Sequence, residues 1–179
     1  RGAALDAHAQ ALVVLGKVRG PATVTAVRRI RAAALPDLPD ASWSNALLVG
    51  EELVMSGMTA HPATRQAAER GAALDAHAQA LVVLGKVKAL LEAAGGHVGN
   101  LYKLNVYVTR IADKDAIGRA RQEFFAGQGT FPASTLVEVS GLVFPELLVE
   151  IDAWARLDID LANCDEQAGP MPCWWERSW

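Results

Sequence analysis

The sequence predicts an α+β fold, a mixed β-sheet with two helices packed on one face. Short segments with apolar residues at every second position recur along the chain. Two longer segments carry apolar residues at intervals of three and four. The two kinds interleave as β-β-β-α-β-α-β-β. Each helix needs a surface on which to bury its stripe, and placing both on one sheet face leaves the other face wet or paired with another subunit.

The elements follow in order. Residues 23–30 are rich in β-branched side chains (Thr23, Val24, Thr25, Val27) and form a first strand. Pro36 and Pro39 place residues 33–40 in a loop. Two apolar runs, 45–49 and 51–56, flank Gly50 as a hairpin, and a loop marked by Pro62 covers residues 57–67. The first helix spans residues 72–94, with Leu74, Ala78, Leu81, Leu84, Val87 and Leu91 on one face, and Gly95-Gly96 stops it. Residues 101–109 are a strand, with Leu104, Val106 and Val108 on one side and Lys103, Asn105 and Tyr107 on the other. The second helix covers 113–125, with Ala116, Ala120 and Phe124 aligned. Residues 134–139 and 147–157 are the last strands. In the final one Val149, Ile151 and Ala153 face one way and Glu150, Asp152 and Trp154 the other.

Both ends differ from this pattern. Residues 1–18 read RGAALDAHAQALVVLGKV, and residues 70–87 repeat them letter for letter. Solenoid repeats diverge, recur at a regular period and number at least three, whereas these are two identical copies around unrelated sequence. They read as a recent duplication or an assembly error; the alternative is a helix that competes with its twin for one groove. The second copy is expected to dock, because only it continues through Lys88 to Gly95. Residues 1–20 are thus a duplicated segment outside a single domain at 21–160. Residues 161–179 form a tail, broken by Gly169-Pro170 and Pro172, with Trp174, Trp175 and Trp179 in no periodic arrangement.

Composition narrows the function classes. The formal net charge of −3 and a basic patch no larger than Arg28-Arg29 argue against nucleic acid as a partner. The greasiest run, Leu81 to Leu84, is far too short to cross a bilayer, and no cationic-then-apolar leader opens the chain. Cys164 and Cys173 both lie in the tail, so neither a disulfide framework nor a metal cluster follows, and a reducing, cytoplasmic compartment is expected. His61, His77 and His97 lack metal-ligand spacing.

Several motifs occur in one fixed order: LLEAAGG at 90–96, NLYKLNVYVTRIAD at 100–113, Glu123-Phe124-Phe125, FPAST at 131–135, VEVSGL at 137–142 and VEIDAWA at 149–155. Together they make residues 42–158 resemble the RidA (YjgF) family. The resemblance implies a chorismate-mutase-like fold, a homotrimer with clefts between subunits, and hydrolysis of imines formed from enamines, without metal or organic cofactor. Carried over residue by residue, it implies Glu150 as the carboxylate that handles water. Ser56 and Gly57 would bind substrate, as would Trp43, which stands where a tyrosine is usual.

One position departs from the family pattern. Ser134 in Pro132-Ala133-Ser134-Thr135 occupies the place of the arginine that grips the substrate carboxylate. Serine has no charged fork, and losing such a bond costs about 1.5–3 kcal/mol, or about one to two decades in binding. Gly118 and Leu136 also replace residues that are often polar and often cysteine in the family. The expectation is an arginine-less deaminase acting on something other than simple 2-imino acids, a larger or less anionic ligand such as an aminomuconate-like intermediate. The alternative is a non-catalytic trimer that binds small carboxylates or metabolites. Ser134 as a nucleophile is discounted for want of a nearby histidine in sequence.

Overall fold

A computed structural model describes residues 24–167 of the chain. Its centre is a six-stranded sheet in the order β1-β2-β3-β6-β4-β5. The strands are β1 (Val27–Ile30), β2 (Ala46–Val49), β3 (Glu52–Thr59), β4 (Leu101–Val108), β5 (Ala133–Glu138) and β6 (Val149–Arg156). The β4–β5 pair is parallel and every other pair is antiparallel. A parallel pair needs a crossover, here the helix α3 (Lys114–Phe124) between β4 and β5. Gly50, at φ +62°, turns the two-residue connection between β2 and β3.

Three helices accompany the sheet where the sequence predicts two. The additional helix, α1 (Ala63–Glu69), begins directly after Pro62 in the expected loop. Proline ends a helix from within but is tolerated at its start, where its missing N–H has no partner to lose. The long helix, α2 (Ala76–Ala93), starts four residues later than expected, because Asp75 caps it by accepting from the Ala78 amide at 2.8 Å.

The buried face of α2 is also rotated from the expected one. Ala76, Ala80, Val83, Leu84, Val87, Leu90 and Leu91 are buried, while Ala78 and Leu81 are only partly covered. The run Leu81-Val82-Val83-Leu84 is apolar on all sides and so gives no phase. The small Ala76 and Ala80 decide which side approaches the core. On α3, Ile117 and Ala120 are buried, with Ala116 and Phe124 at the margin. Residues 76–87 of the second repeat copy thus pack in the core; the first copy lies outside the described residues. So does the tail from residue 168 on, while Leu161–Asn163 form a short 3-10 turn that Asp160 caps.

β6 alternates as its sequence predicts: Val149, Ile151, Ala153 and Ala155 are fully buried, and Glu150, Asp152 and Trp154 are half-buried on the opposite face. Buried Gln79 anchors the entry to this strand from α2. Its amide nitrogen donates to Leu74 O (3.0 Å) and Glu146 O (2.9 Å), and its amide oxygen accepts from the Leu148 N–H (2.9 Å). The face away from the core is crossed by a row of aligned residues, one from each strand: Arg29, Leu47, Val54, Trp154, Lys103 and Ala133.

Candidate active site

Glu150 lies on the uncovered face, in register between Thr59 of β3 and Tyr107 of β4. Beside it the β3 ladder is irregular. Met55 pairs with Ala153 and Met58 with Ile151, so Ser56 and Gly57 together oppose Asp152. This two-against-one bulge bends the strand and re-aims its side chains. Glycine is required at its second position for a local reason. A Cβ on Gly57 would collide with Glu150 Oε1 and lie 2.8 Å from its Cδ and 3.1 Å from Asp152 Oδ1. The carboxyl group of Glu150 therefore rests directly on the Gly57 backbone.

Two causes push the Glu150 carboxyl above the ordinary carboxylate value: partial burial first, then the negative charge of Asp152. Asp152 has its own donor, the Tyr107 hydroxyl at 2.9 Å, and that bond is the main reason the Tyr107 phenol is held above its usual value. The two carboxyl groups are thus unequal. Asp152 is hydrogen-bonded, whereas the Glu150 carboxyl is held above the ordinary carboxylate value, the direction that suits a group that exchanges protons.

Trp43 and Ser56 line a surface cavity of about 580 Å³ with Arg29, Leu47 and Val54. The indole is 52% exposed, so a ligand can reach it. The Ser56 hydroxyl donates to Ser44 O (2.8 Å) and its amide to Asn45 O (3.0 Å). Ser56 and Gly57 both belong to the bulge, and the Ser56 amide is already engaged. What Ser56 does in one chain is hold the segment that bears Trp43.

Ser134 is not brought to this cluster within one chain. It is exposed on β5 and paired with Leu104, whose side chain belongs to the helix-covered face. β4 separates β5 from β6, so two strand spacings, about 10 Å, lie between Ser134 and the strand of Glu150. Tyr107 and Arg29 join the site although sequence reasoning gave them no part in it. Tyr107 was visible as the strand neighbour of Asn105, and Arg29 as half of a basic pair, but neither cross-strand partner could be known. Gly118 is partly buried on α3, away from the cluster, and His77 pairs with Glu123 at 2.7 Å, joining α2 to α3. Among the described residues, no three His, Cys, Asp or Glu side chains converge as a metal site would need.

With the bulge, the paired carboxyl groups and the sheet order in place, comparison with known proteins is informative. The Endoribonuclease L-PSP family profile matches residues 34–157. The chain belongs to this family, the RidA (YjgF) family. A 2-iminobutanoate/2-iminopropanoate deaminase of Salmonella typhimurium is 36% identical over 109 residues, covering 60% of this chain and 80% of that protein. A deaminase of the same name from Escherichia coli is 39% identical over 82 residues, 45% of this chain and 63% of its own length. Among solved structures, a Yersinia pestis protein of the conserved Rid family superposes with a TM-score of 0.63 at 26% identity, covering 73% of this chain and 99% of that one. The RidA-type mixed sheet is therefore the fold of this chain, and no helix among the described residues is long and apolar enough to cross a membrane.

Proposed function

We propose that this RidA-family chain hydrolyses the C=N bond of imines, in clefts between the subunits of a homotrimer, on a substrate other than simple 2-imino acids. Glu150 takes a proton from a water molecule as its oxygen attacks the imine carbon. The C=N π electrons move to nitrogen, which takes that proton from Glu150, giving a neutral tetrahedral carbinolamine. Glu150 then accepts the carbinolamine hydroxyl proton and passes it to the nitrogen as the C–N bond breaks, and the carbonyl product and ammonia leave. A carboxyl group that both takes and gives a proton in one cycle works best with a pKa raised toward neutrality. The observation that carries the proposal is the Glu150 carboxyl itself, lifted by burial and by Asp152 and seated on Gly57 at the edge of an accessible face.

The substrate preference follows from Ser134. With no guanidinium at that position, a carboxylate adjacent to the C=N carbon loses its two-pronged partner. The experiment is ammonia release from a panel of imines generated in situ, 2-imino acids from an amino-acid oxidase and imines lacking the adjacent carboxylate from a flavin amine oxidase. The wild type should accelerate hydrolysis of at least one of them, and Glu150→Gln should lower that rate by about 10²- to 10⁴-fold. Uniform inactivity across the panel would refute the catalytic assignment.

Ser134 also favours a second reading, a trimer that binds small metabolites without turnover. Ligand affinity unchanged in Glu150→Gln, with no ammonia released, would select it.

A further inference from the structure

We infer that Arg29 is the specificity-determining cation of this site, and that it selects imines or enamines carrying a second carboxylate at the end remote from the C=N bond. The inference rests on the deaminase reading above and names the substrate class for it.

Arg29 lies on the uncovered face in the row of Leu47 and Val54, and it lines the same cavity as Trp43 and Ser56. Its guanidinium is positioned from two sides, by Asp37 Oδ2 at 3.2 Å and by the Trp43 carbonyl at 3.5 Å. Asp37 does not neutralise it. The same carboxylate oxygen is also ion-paired with Arg31 Nε at 2.8 Å, and Asp37 Oδ1 accepts from Asn45 at 3.0 Å. Two guanidinium groups on one carboxylate leave one positive charge in excess at the cavity wall. Arg31 lies outside this cavity, so the charge that faces a ligand there is that of Arg29.

Position sets the length of the ligand. β1 is three strands from β6, about 14 Å, and Arg29 is in register with Trp154, four residues or about 13 Å along β6 from Glu150, so an extended arginine side chain crosses only part of that gap. A three-carbon imino acid held by Arg29 could not present its C=N carbon to Glu150. A longer chain could, with its anionic end on Arg29 and its body across the half-exposed indole of Trp43. The cation absent at Ser134 is thus replaced by one farther from the reacting bond, which shifts selection from the near carboxylate to a far one.

Two six-carbon substrates test this, the imines made from 2-aminoadipate and from norleucine, which differ only in the terminal carboxylate. The wild type should favour the adipate-derived imine in kcat/KM by about tenfold or more, through KM, and Arg29→Gln should abolish that preference by lowering kcat/KM on the adipate-derived imine far more than on the norleucine-derived one. Arg29→Lys should restore part of it, and Arg31→Gln, which removes the other partner of Asp37, should retain it. Equal rates for the two imines in the wild type, or an equal loss on both in Arg29→Gln, would overturn the inference and leave the deaminase reading intact. Calorimetric binding of 2-oxoadipate against 2-oxohexanoate separates the converse case. If no imine is turned over, tighter binding of 2-oxoadipate that vanishes in Arg29→Gln still supports Arg29, and indistinguishable binding of the two overturns it.

Discussion

Ionisation of Glu150 is opposed twice, by partial burial and by Asp152, and folding must bear that cost whenever the group is charged. A carboxyl whose folded pKa lies above its unfolded value holds more protons in the native state. Stability therefore falls as pH rises from the ordinary carboxylate range through the folded value of Glu150. Glu150→Gln removes the cost, so it should stabilise the chain at neutral pH by up to about 1 kcal/mol, the scale of a half-exposed charge pair. The gain should disappear near pH 3, well below the ordinary glutamate value, where the wild-type group is protonated in both states. Urea denaturation at the two pH values measures it, and a variant less stable than wild type at neutral pH would contradict the assigned environment. Gly57 gives the complementary test. In Gly57→Ala the methyl group must displace the Glu150 carboxyl, which is the far end of a flexible side chain, so stability should change little. Catalysis should fall by about a hundredfold, because displacement by an ångström is enough to do that. The acid limb of the pH–rate profile should also move down, toward an unperturbed carboxylate. Glu150, Trp43, Ser56 and Gly57 were all legible in the sequence as motif positions. The reason for Gly57 was not, because it arises from residues 57 and 150 meeting across two strands.

At the scale of elements, the strands were easier to read than the helices. β4 and β6 each have one face against a buried layer, so two-residue alternation records their orientation directly. α2 is apolar on most of its circumference, and its phase was set instead by Ala76, Ala80 and the polar Gln79, none of which stands out as core by side-chain size. Gln79 is the informative member. It fills the acceptor and donor needs of the backbone at Leu74, Glu146 and Leu148, and so fixes the segment that leads into β6 two residues before Glu150. Gln79→Leu would leave the Leu148 N–H and the Glu146 carbonyl without partners, at a cost of about 1–3 kcal/mol in unfolding free energy. Hydrogen exchange at Leu148 should accelerate in the variant. An unchanged urea midpoint would mean that the β6 entry is held by other contacts.

For the whole molecule, the question is how Ser134 could matter to Glu150 at all. Within one chain β4 separates their strands, and Ser134 pairs with a residue of the opposite face. Sequence motifs place both in one site, and that placement makes sense if the β5 edge of one subunit meets the uncovered face of the next. β5 is an edge strand with one side unpaired, and the uncovered face exposes Leu47, Val49 and Val137. Contact between two different surfaces closes into a ring when the rotation permits, and three copies is the expectation here. Sedimentation equilibrium should accordingly give three times the chain mass. In that assembly Ser134→Arg would return a fork to a cleft whose acid comes from a neighbour, and it should raise kcat/KM on 2-iminopropanoate by about ten- to a hundredfold, the value of one charge-assisted pair. Mixed trimers distinguish this from an effect within the chain. Neither Ser134→Arg/Glu150→Gln double-variant trimers nor Glu150→Gln trimers should gain activity. Trimers co-assembled from Ser134→Arg/Glu150→Gln and otherwise wild-type subunits should gain it, because each arginine can then face an intact Glu150 on another chain. If the co-assembled trimers show no gain while Ser134→Arg alone does, the two residues act within one subunit, and the edge-to-face arrangement is wrong.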